Sequence, residues 1–253
     1  MLYLCRMKEK ENIIFGIHPV IEAIKSGKEI EKVYIQQDIQ GQGLTELRNV
    51  IKKSKIPFSH VPVQRLNKYT QGNHQGVLCF ISPIETQDIE DIIPQLFEAG
   101  KVPLILILDR VTDVRNFGAI TRTAECLGVH AVVIPKRESA QINEDAIKTS
   151  SGAIYRIPIC KVDNLTDTVF MLKESGINVV ACTEKTDQLI SSVDFTQPTA
   201  IIMGSEETGI ANQLLKNSNN LGKIPMVGEI ASLNVSVAAG MVLYEVVKQR
   251  LNG

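Results

Sequence analysis

Ile201-Ile202-Met203-Gly204-Ser205-Glu206-Glu207-Thr208-Gly209 runs from an apolar segment through a glycine into a polar loop, and Ile224-Pro225-Met226 and Ser232-Leu233-Asn234 repeat that change further along. A short apolar run bounded by glycine predicts a buried strand, and a polar loop after it predicts a strand end that faces solvent. The same reading applies at Leu104–Leu108, which is followed by the polar turn Asp109–Gly118. Beyond Pro103 the alternation is regular. Strands are expected at 104–108, 131–134, 157–160, 179–182, 200–203 and 223–225, and helices at 119–127, 145–150, 166–174, 212–217 and 233–250. Apolar runs alternating with helices call for a mainly parallel sheet covered on both faces, so residues 101–253 are expected to form an α/β domain.

Such sheets bind ligands outside the carboxyl ends of their strands. That places candidate functional loops at 109–118, 183–189, 204–210 and 226–234. No G-x-G-x-x-G follows the first strand and no G-x-x-x-x-G-K-[ST] occurs, which excludes a dinucleotide fingerprint and a P-loop.

Outward from this domain, residues 1–82 mix a helical run at Pro19–Ile24, a strand at Lys32–Ile35, a helix at Leu44–Lys53 and strands at Phe58–Val61 and Val77–Ile81. They predict a small α+β module. Residues 83–100 form an acidic linker with room for one amphipathic helix packed on the α/β domain. The net charge of −1 is unevenly spread: residues 1–82 hold 12 Lys+Arg against 7 Asp+Glu, residues 83–100 hold 5 acids and no base, and residues 101–253 hold 15 against 16. The basic module is compatible with a phosphate-rich partner and equally with a solvated lysine face.

No apolar run reaches the roughly 18 residues of a membrane span, and Met1–Glu11 lacks the apolar core of a signal peptide. A cytoplasmic protein without membrane contact is expected. Cys5, Cys79, Cys126, Cys160 and Cys182 form no C-x-x-C pair and read as reduced, mostly buried small hydrophobes. His18, His60, His74 and His130 never pair at helical spacing, so no metal site is expected.

Several polar residues stand out. Asn116 is an N-cap or, with a partner, a functional amide. Arg122, with Ala119 and Cys126 on its helix face, forms a helix ion pair to Glu125 or extends back toward the Asn116 turn to meet a carboxylate or phosphate. Gly204 is a turn glycine or a place where a ligand approaches the backbone. Glu206 and Glu207 precede a helix, where carboxylates favour its dipole. Ser232 is a candidate N-cap and Asn234 a first-turn amide needing partners. The helix after them is apolar around nearly its whole circumference and is a candidate dimer interface.

Asp109–Ala124, Met203-Gly204-Ser205-Glu206 and Ile224-Pro225-Met226 with Ser232-Leu233-Asn234-Val235-Ser236 together resemble the three motifs of the SpoU (TrmH) family of RNA ribose 2′-O-methyltransferases. Phe15-Gly16-Ile17-His18-Pro19-Val20 and His74-Gln75-Gly76 are similar to that family's substrate-binding domain, and the two-domain arrangement is most similar to the RlmB-type branch acting on 23S ribosomal RNA. The resemblance implies a SPOUT-type parallel sheet with a C-terminal trefoil knot, S-adenosyl-L-methionine (SAM) as methyl donor, a homodimer, and an RNA or preribosomal substrate. Carried over by position, Gly204, Ile224 and Leu233, joined by Thr183 and Met226 on neighbouring loops, would hold SAM. Asn116, Arg122, Glu206, Ser232 and Asn234 would form the catalytic and RNA-facing set. Arg122 would stabilise the nascent alkoxide, since a guanidinium stays protonated. Lys52, Lys53, Lys55, Arg65 and Lys68 are candidate phosphate contacts. His18 and His74 stand in family-like surroundings without an assigned role. A transfer RNA target, or a non-catalytic RNA-binding assembly factor on the same fold, are the alternatives.

Overall fold

A computed structural model describes residues 12–41, 43–230 and 232–252. Cys5 and the 1–11 segment lie outside them. Two compact units divide between Glu85 and Thr86.

The first unit runs β1 (Ile13–Phe15), α1 (Ile17–Lys25), β2 (Ile30–Gln36), α2 (Leu44–Lys53), β3 (Phe58–Val61), α3 (Val63–Asn67) and β4 (Val77–Ile81). Its sheet has the order β1-β4-β2-β3, with β4 antiparallel to both neighbours and β2 parallel to β3. Strand alternation sorts the residues. Val33, Ile35, Val77 and Cys79 pack under Val20, Ile21 and Ile24 of α1 and Leu47 and Ile51 of α2, while Tyr34, Val61 and Leu78 meet Leu66 of α3 on the opposite face. Neither β1 nor α3 shows in the sequence, because three and five residues are too few to display a period.

The second unit runs α4 (Ile89–Glu98), β5 (Leu104–Asp109), α5 (Val114–Cys126), β6 (Ala131–Pro135), α6 (Glu144–Thr149), β7 (Ile159–Val162), α7 (Leu165–Glu174), β8 (Asn178–Cys182), β9 (Thr199–Gly204), α8 (Asn212–Asn217), β10 (Asn220–Gly222) and α9 (Val235–Asn252). The sheet order is β10-β8-β9-β5-β6-β7, parallel throughout. All six residues of β5 are buried, as a central strand covered on both faces requires. The chain builds outward from β5 to β7, then returns to the other side. The loops after β5 and β9 therefore lie side by side at the point where the order reverses.

The acidic stretch expected as a linker contains α4, whose N-cap Asp88 accepts the Glu90 N–H at 3.0 Å. Its Ile89, Ile92, Ile93 and Leu96 join the core of β5, β6 and β8, so this helix belongs to the second unit. The last strand is Asn220–Gly222 rather than 223–225. It is an edge strand defined by backbone pairing to β8, and pairing beyond it is reduced to a single bridge between Lys223 and Leu189. α5 starts five residues before the expected 119, because Asp113 caps it. α9 buries Val235, Ala239, Val242, Leu243 and Val246, yet leaves Val237 (53%), Met241 (45%) and Tyr244 (63%) exposed, so within the chain it is covered on one side only. Among the described residues no helix is long and apolar enough to cross a membrane.

Candidate active site

Asp109, at the end of β5, is 4% exposed and bound by three donors. Arg110 Nε reaches Oδ1 at 3.1 Å, Arg110 Nη2 reaches Oδ2 at 3.1 Å, and the Ala211 N–H donates to Oδ2 at 2.7 Å. Arg110, at φ +56°, also donates to the Gly209 carbonyl at 3.0 Å. Two adjacent residues thus fasten the loop after β9 to the end of β5. Gly204 is required by the same loop. A Cβ there would lie 2.3 Å from the Gly209 carbonyl carbon and 2.4 Å from the Ile210 nitrogen. The space a side chain would take is filled by the loop's own backbone, as the turn-glycine reading expects, while Gly204 itself still borders the cavity beside it.

The fastened loop carries Glu206. Its Oε1 accepts from Asn234 Nδ2 at 2.6 Å, Asn116 Nδ2 at 3.1 Å and the Val235 N–H at 3.1 Å. Asn234 Nδ2 also reaches Asn116 Oδ1 at 3.0 Å. One carboxylate oxygen thereby joins the first turn of α5, the loop after β9 and the start of α9. Asn116 is not the cap of α5. Asp113 is, accepting the Asn116 N–H at 2.8 Å, which leaves the Asn116 amide for Glu206. Nor is Ser232 the cap of α9: Asn234 Oδ1 accepts the Ser236 N–H at 3.0 Å. Charge-assisted bonds of this kind are among the stronger ones, and a carboxylate at a helix start also meets the positive end of its dipole.

Glu206 stands between two cavities. The first, ≈ 400 Å³, is lined by the ends of β8 and β9, by residues within 223–226 and by residues within 232–238, and Thr183, Gly204, Ile224, Met226 and Leu233 all line it. The second, ≈ 720 Å³, is lined by Arg110–Asp113, Asn116 and Glu138 and shares Ser205–Thr208 and Val235 with the first. Cys182 borders the first cavity, but burial, reinforced by Glu184, pushes its thiol up to about 12, and burial pushes Cys160 to about 12 and Cys79 to about 11. These thiols stay protonated and are poor nucleophiles. Cys126, expected to be buried, is exposed. Among the described residues no group of three or more His, Cys, Asp or Glu is placed to hold a metal.

Residues 103–244 match the SpoU rRNA Methylase family model. The chain belongs to the SpoU rRNA methylase family. Residues 13–87 match the model for RNA 2′-O ribose methyltransferase substrate binding. Curated relatives include "Putative TrmH family tRNA/rRNA methyltransferase YacO" of Bacillus subtilis (strain 168), 34% identical over 245 residues and covering 96% of this chain and 98% of that one. A protein with the same family name from Staphylococcus saprophyticus is 36% identical over 241 residues, covering 95% and 97%. Among solved structures, the SpoU methyltransferase AviRb of Streptomyces viridochromogenes in complex with the cofactor AdoMet aligns with a TM-score of 0.61 at 25% identity, covering 98% of this chain and 94% of that one. The A. aeolicus TrmH/SpoU tRNA modifying enzyme aligns with a TM-score of 0.55 at 32% identity, covering 64% and 84%. This SpoU-family chain is a methyltransferase with an α/β catalytic unit and an N-terminal substrate-binding unit.

Within the SpoU unit, Arg122 stands apart from the Asn116–Glu206–Asn234 cluster. It is exposed on α5, pairs with neither Glu125 nor any other described residue, and lines neither cavity. Ser232 is exposed and borders the first cavity. In the first unit the five basic candidates do not form one patch. Lys52 and Lys53 end α2 and Lys55 follows it, whereas Arg65 and Lys68 belong to α3 and its end, on the other side of the sheet. Arg65 is engaged with Tyr34, its guanidinium 5.0 Å from the ring centroid and 3.2 Å from the hydroxyl. His18 is exposed on α1, and His74 is bonded through both ring nitrogens, to Asn67 and to the Gly76 N–H. Asp109 and Arg110 were not singled out from the sequence. Their signal is an ionisable residue closing a strand that is otherwise wholly apolar.

Proposed function

We propose that the protein transfers a methyl group from SAM to a ribose 2′-hydroxyl of RNA, with a guanosine of 23S ribosomal RNA as its address. The observation that carries this reading is the Glu206 carboxylate held by three N–H groups at the wall shared by two cavities. The first cavity suits SAM. Its ≈ 400 Å³ lies in the range of small-ligand sites, and Met203, Ile224, Leu233 and Val235 offer apolar walls beside the polar 204–209 loop. Thr183, Gly204, Ile224, Met226 and Leu233 would hold the cofactor, which supplies an electrophilic methyl on its sulfonium. The trefoil knot expected of the family would bring these segments together.

The second cavity then takes the target ribose. Asn116, Glu206 and Asn234 hold the wall between the two cavities in one geometry, and fixed alignment of reacting groups accounts for roughly 7 to 11 kcal/mol of a barrier in favourable cases. Arg122, with no partner among the described residues, reaches from α5 beyond the cavity walls to grip the RNA and stabilise the alkoxide, the hydroxyl proton passing to solvent as the ribose oxygen takes the methyl and S-adenosylhomocysteine leaves. Ser232 stands beside Leu233 and faces the RNA. The homodimer covers Val237, Met241 and Tyr244 of α9 together with the Ala119 and Cys126 face of α5. A monomer in sedimentation at micromolar concentration would contradict that arrangement. An RNA substrate of this kind is met in the cytoplasm.

Incubation with methyl-labelled SAM and separated 23S, 16S and transfer RNA pools tests the reading. Label in 23S RNA, reduced about 10²- to 10⁴-fold by Arg122→Ala, is the expected result. Label confined to transfer RNA would favour the second address, to which the relatives named tRNA/rRNA methyltransferases and the A. aeolicus enzyme lend weight. SAM binding without label in any pool would favour an assembly factor.

A further inference from the structure

The first unit holds a cavity of its own, ≈ 520 Å³, between the end of β2 and the loop that leads into β4. Its walls are held by a closed set of hydrogen bonds. The Gly76 N–H donates to His74 Nδ1 at 2.9 Å, so the ring proton is on Nε2, which lies 2.9 Å from Asn67 Oδ1. Gln75 Oε1 accepts the Ile17 N–H at 3.1 Å, and the Gln36 N–H donates to the Gly76 carbonyl at 2.7 Å. A Cβ on Gly76, at φ +71°, would lie 2.2 Å from Ile39 Cδ1, so the loop rests directly on the chain after β2. Gln75 at φ +47° and Asp38 at φ +58° are non-glycine residues in the left-handed region, one on each side of the cavity. Such backbone persists where the surroundings over-determine it.

Inside this frame the side-chain amides of Gln36, Gln40 and Asn73 bond to no described residue. Among the described residues no lysine or arginine lines the cavity, which argues against a phosphate. Each amide presents a donor beside an acceptor, the pattern that pairs with a nucleobase edge, and Ile17 and Ile39 offer apolar surface for a base plane. A base edge is free in this way only where RNA is unpaired.

We propose that this cavity receives one unpaired nucleobase of the RNA substrate and reads its hydrogen-bonding edge through Gln40 and Asn73. The inference rests on the reading of the protein as an RNA methyltransferase. It assigns recognition to neutral amides and leaves the scattered lysines to non-specific attraction.

The full-length protein is titrated with a labelled single-stranded RNA and with the duplex of the same sequence, at several salt concentrations. Gln40→Ala/Asn73→Ala and the near-isosteric Gln40→Glu/Asn73→Asp are compared with the parent, and a thermal melt verifies each fold. Both double variants should bind the single strand about tenfold or more weakly, with the duplex unaffected. The salt slope of Gln40→Ala/Asn73→Ala should stay unchanged, because no phosphate contact is lost. Equal single-strand affinity in parent and variants, with the parent still binding and methylating RNA, overturns the base pocket alone. A loss accompanied by a flatter salt slope overturns it in favour of a phosphate contact. A parent that binds neither RNA overturns both this inference and the reading beneath it.

Discussion

Glu206 gathers three donors on one oxygen, and that geometry separates its role from the dipole-favouring carboxylate the sequence also allowed. Replacing it with Ala frees Asn116, Asn234 and the α9 start at once, and kcat for methyl transfer should fall about 10²- to 10³-fold, with partial recovery in Glu206→Gln, which keeps an acceptor. Steady-state kinetics with labelled SAM measure this, and unaltered turnover in the Ala variant would remove the residue from the site. Asp109 works through position. Asp109→Asn turns one acceptor oxygen into a donor against Arg110 or the Ala211 N–H, and should lower stability by about 2–4 kcal/mol in urea unfolding. A change under about half a kilocalorie would mean that the fastening of the 204–211 loop is incidental.

At the scale of elements, α9 is held at its far end by Gln249, which accepts the Phe195 N–H at 3.0 Å, and above all by Arg250. Arg250 donates to the carbonyls of Phe195 at 2.9 Å and of Val102, Pro103 and Gln197 at 3.0 Å each. No ammonium can span four carbonyls in that way, so Arg250→Lys should lower the melting temperature by several degrees, as calorimetry would show. An unchanged melting temperature would mean that apolar packing alone docks the helix. The elements themselves were largely legible in the sequence where a period had room to show. α2, β3, β4 and α8 fall on the expected residues, and β5, β8 and β9 are each longer than expected by one or two residues. The hidden elements have physical causes. β1, α3 and β10 are too short or too polar for a pattern, whereas α4 is the amphipathic helix expected in the acidic stretch. The site shows the same division. The five residues expected to hold SAM line one cavity, and Asn116, Glu206 and Asn234 meet. The absence of Arg122 from both cavity walls, the capping roles of Asp113 and Asn234, and the scatter of the lysines all depend on which way a helix face turns, which spacing alone does not specify.

In the molecule as a whole, one pH response belongs to the half-buried imidazole of His130, away from the site. His130 Nδ1 accepts the Leu104 N–H at 3.0 Å, and burial, with the positive charges of Lys101 and Arg250, holds its pKa below 6.5. As pH falls through that ordinary value the unfolded chain takes up the proton first, so stability is present above this range and is lost below it. Denaturant midpoints between about pH 7 and pH 5 should fall for the parent and fall less for His130→Asn, which retains an acceptor but does not titrate. Parallel curves would assign the acid sensitivity elsewhere.

The two cavities joined at Glu206 would place a methyl donor against a ribose. Nucleoside mass spectrometry of RNA treated with the protein and SAM, after complete digestion, tests it most directly when run beside alkaline hydrolysis. The expected product is a methylated nucleoside whose added mass stays with the sugar and whose backbone linkage resists alkali, absent from RNA treated with Glu206→Ala. Added mass on the base, with an alkali-sensitive linkage, would contradict it.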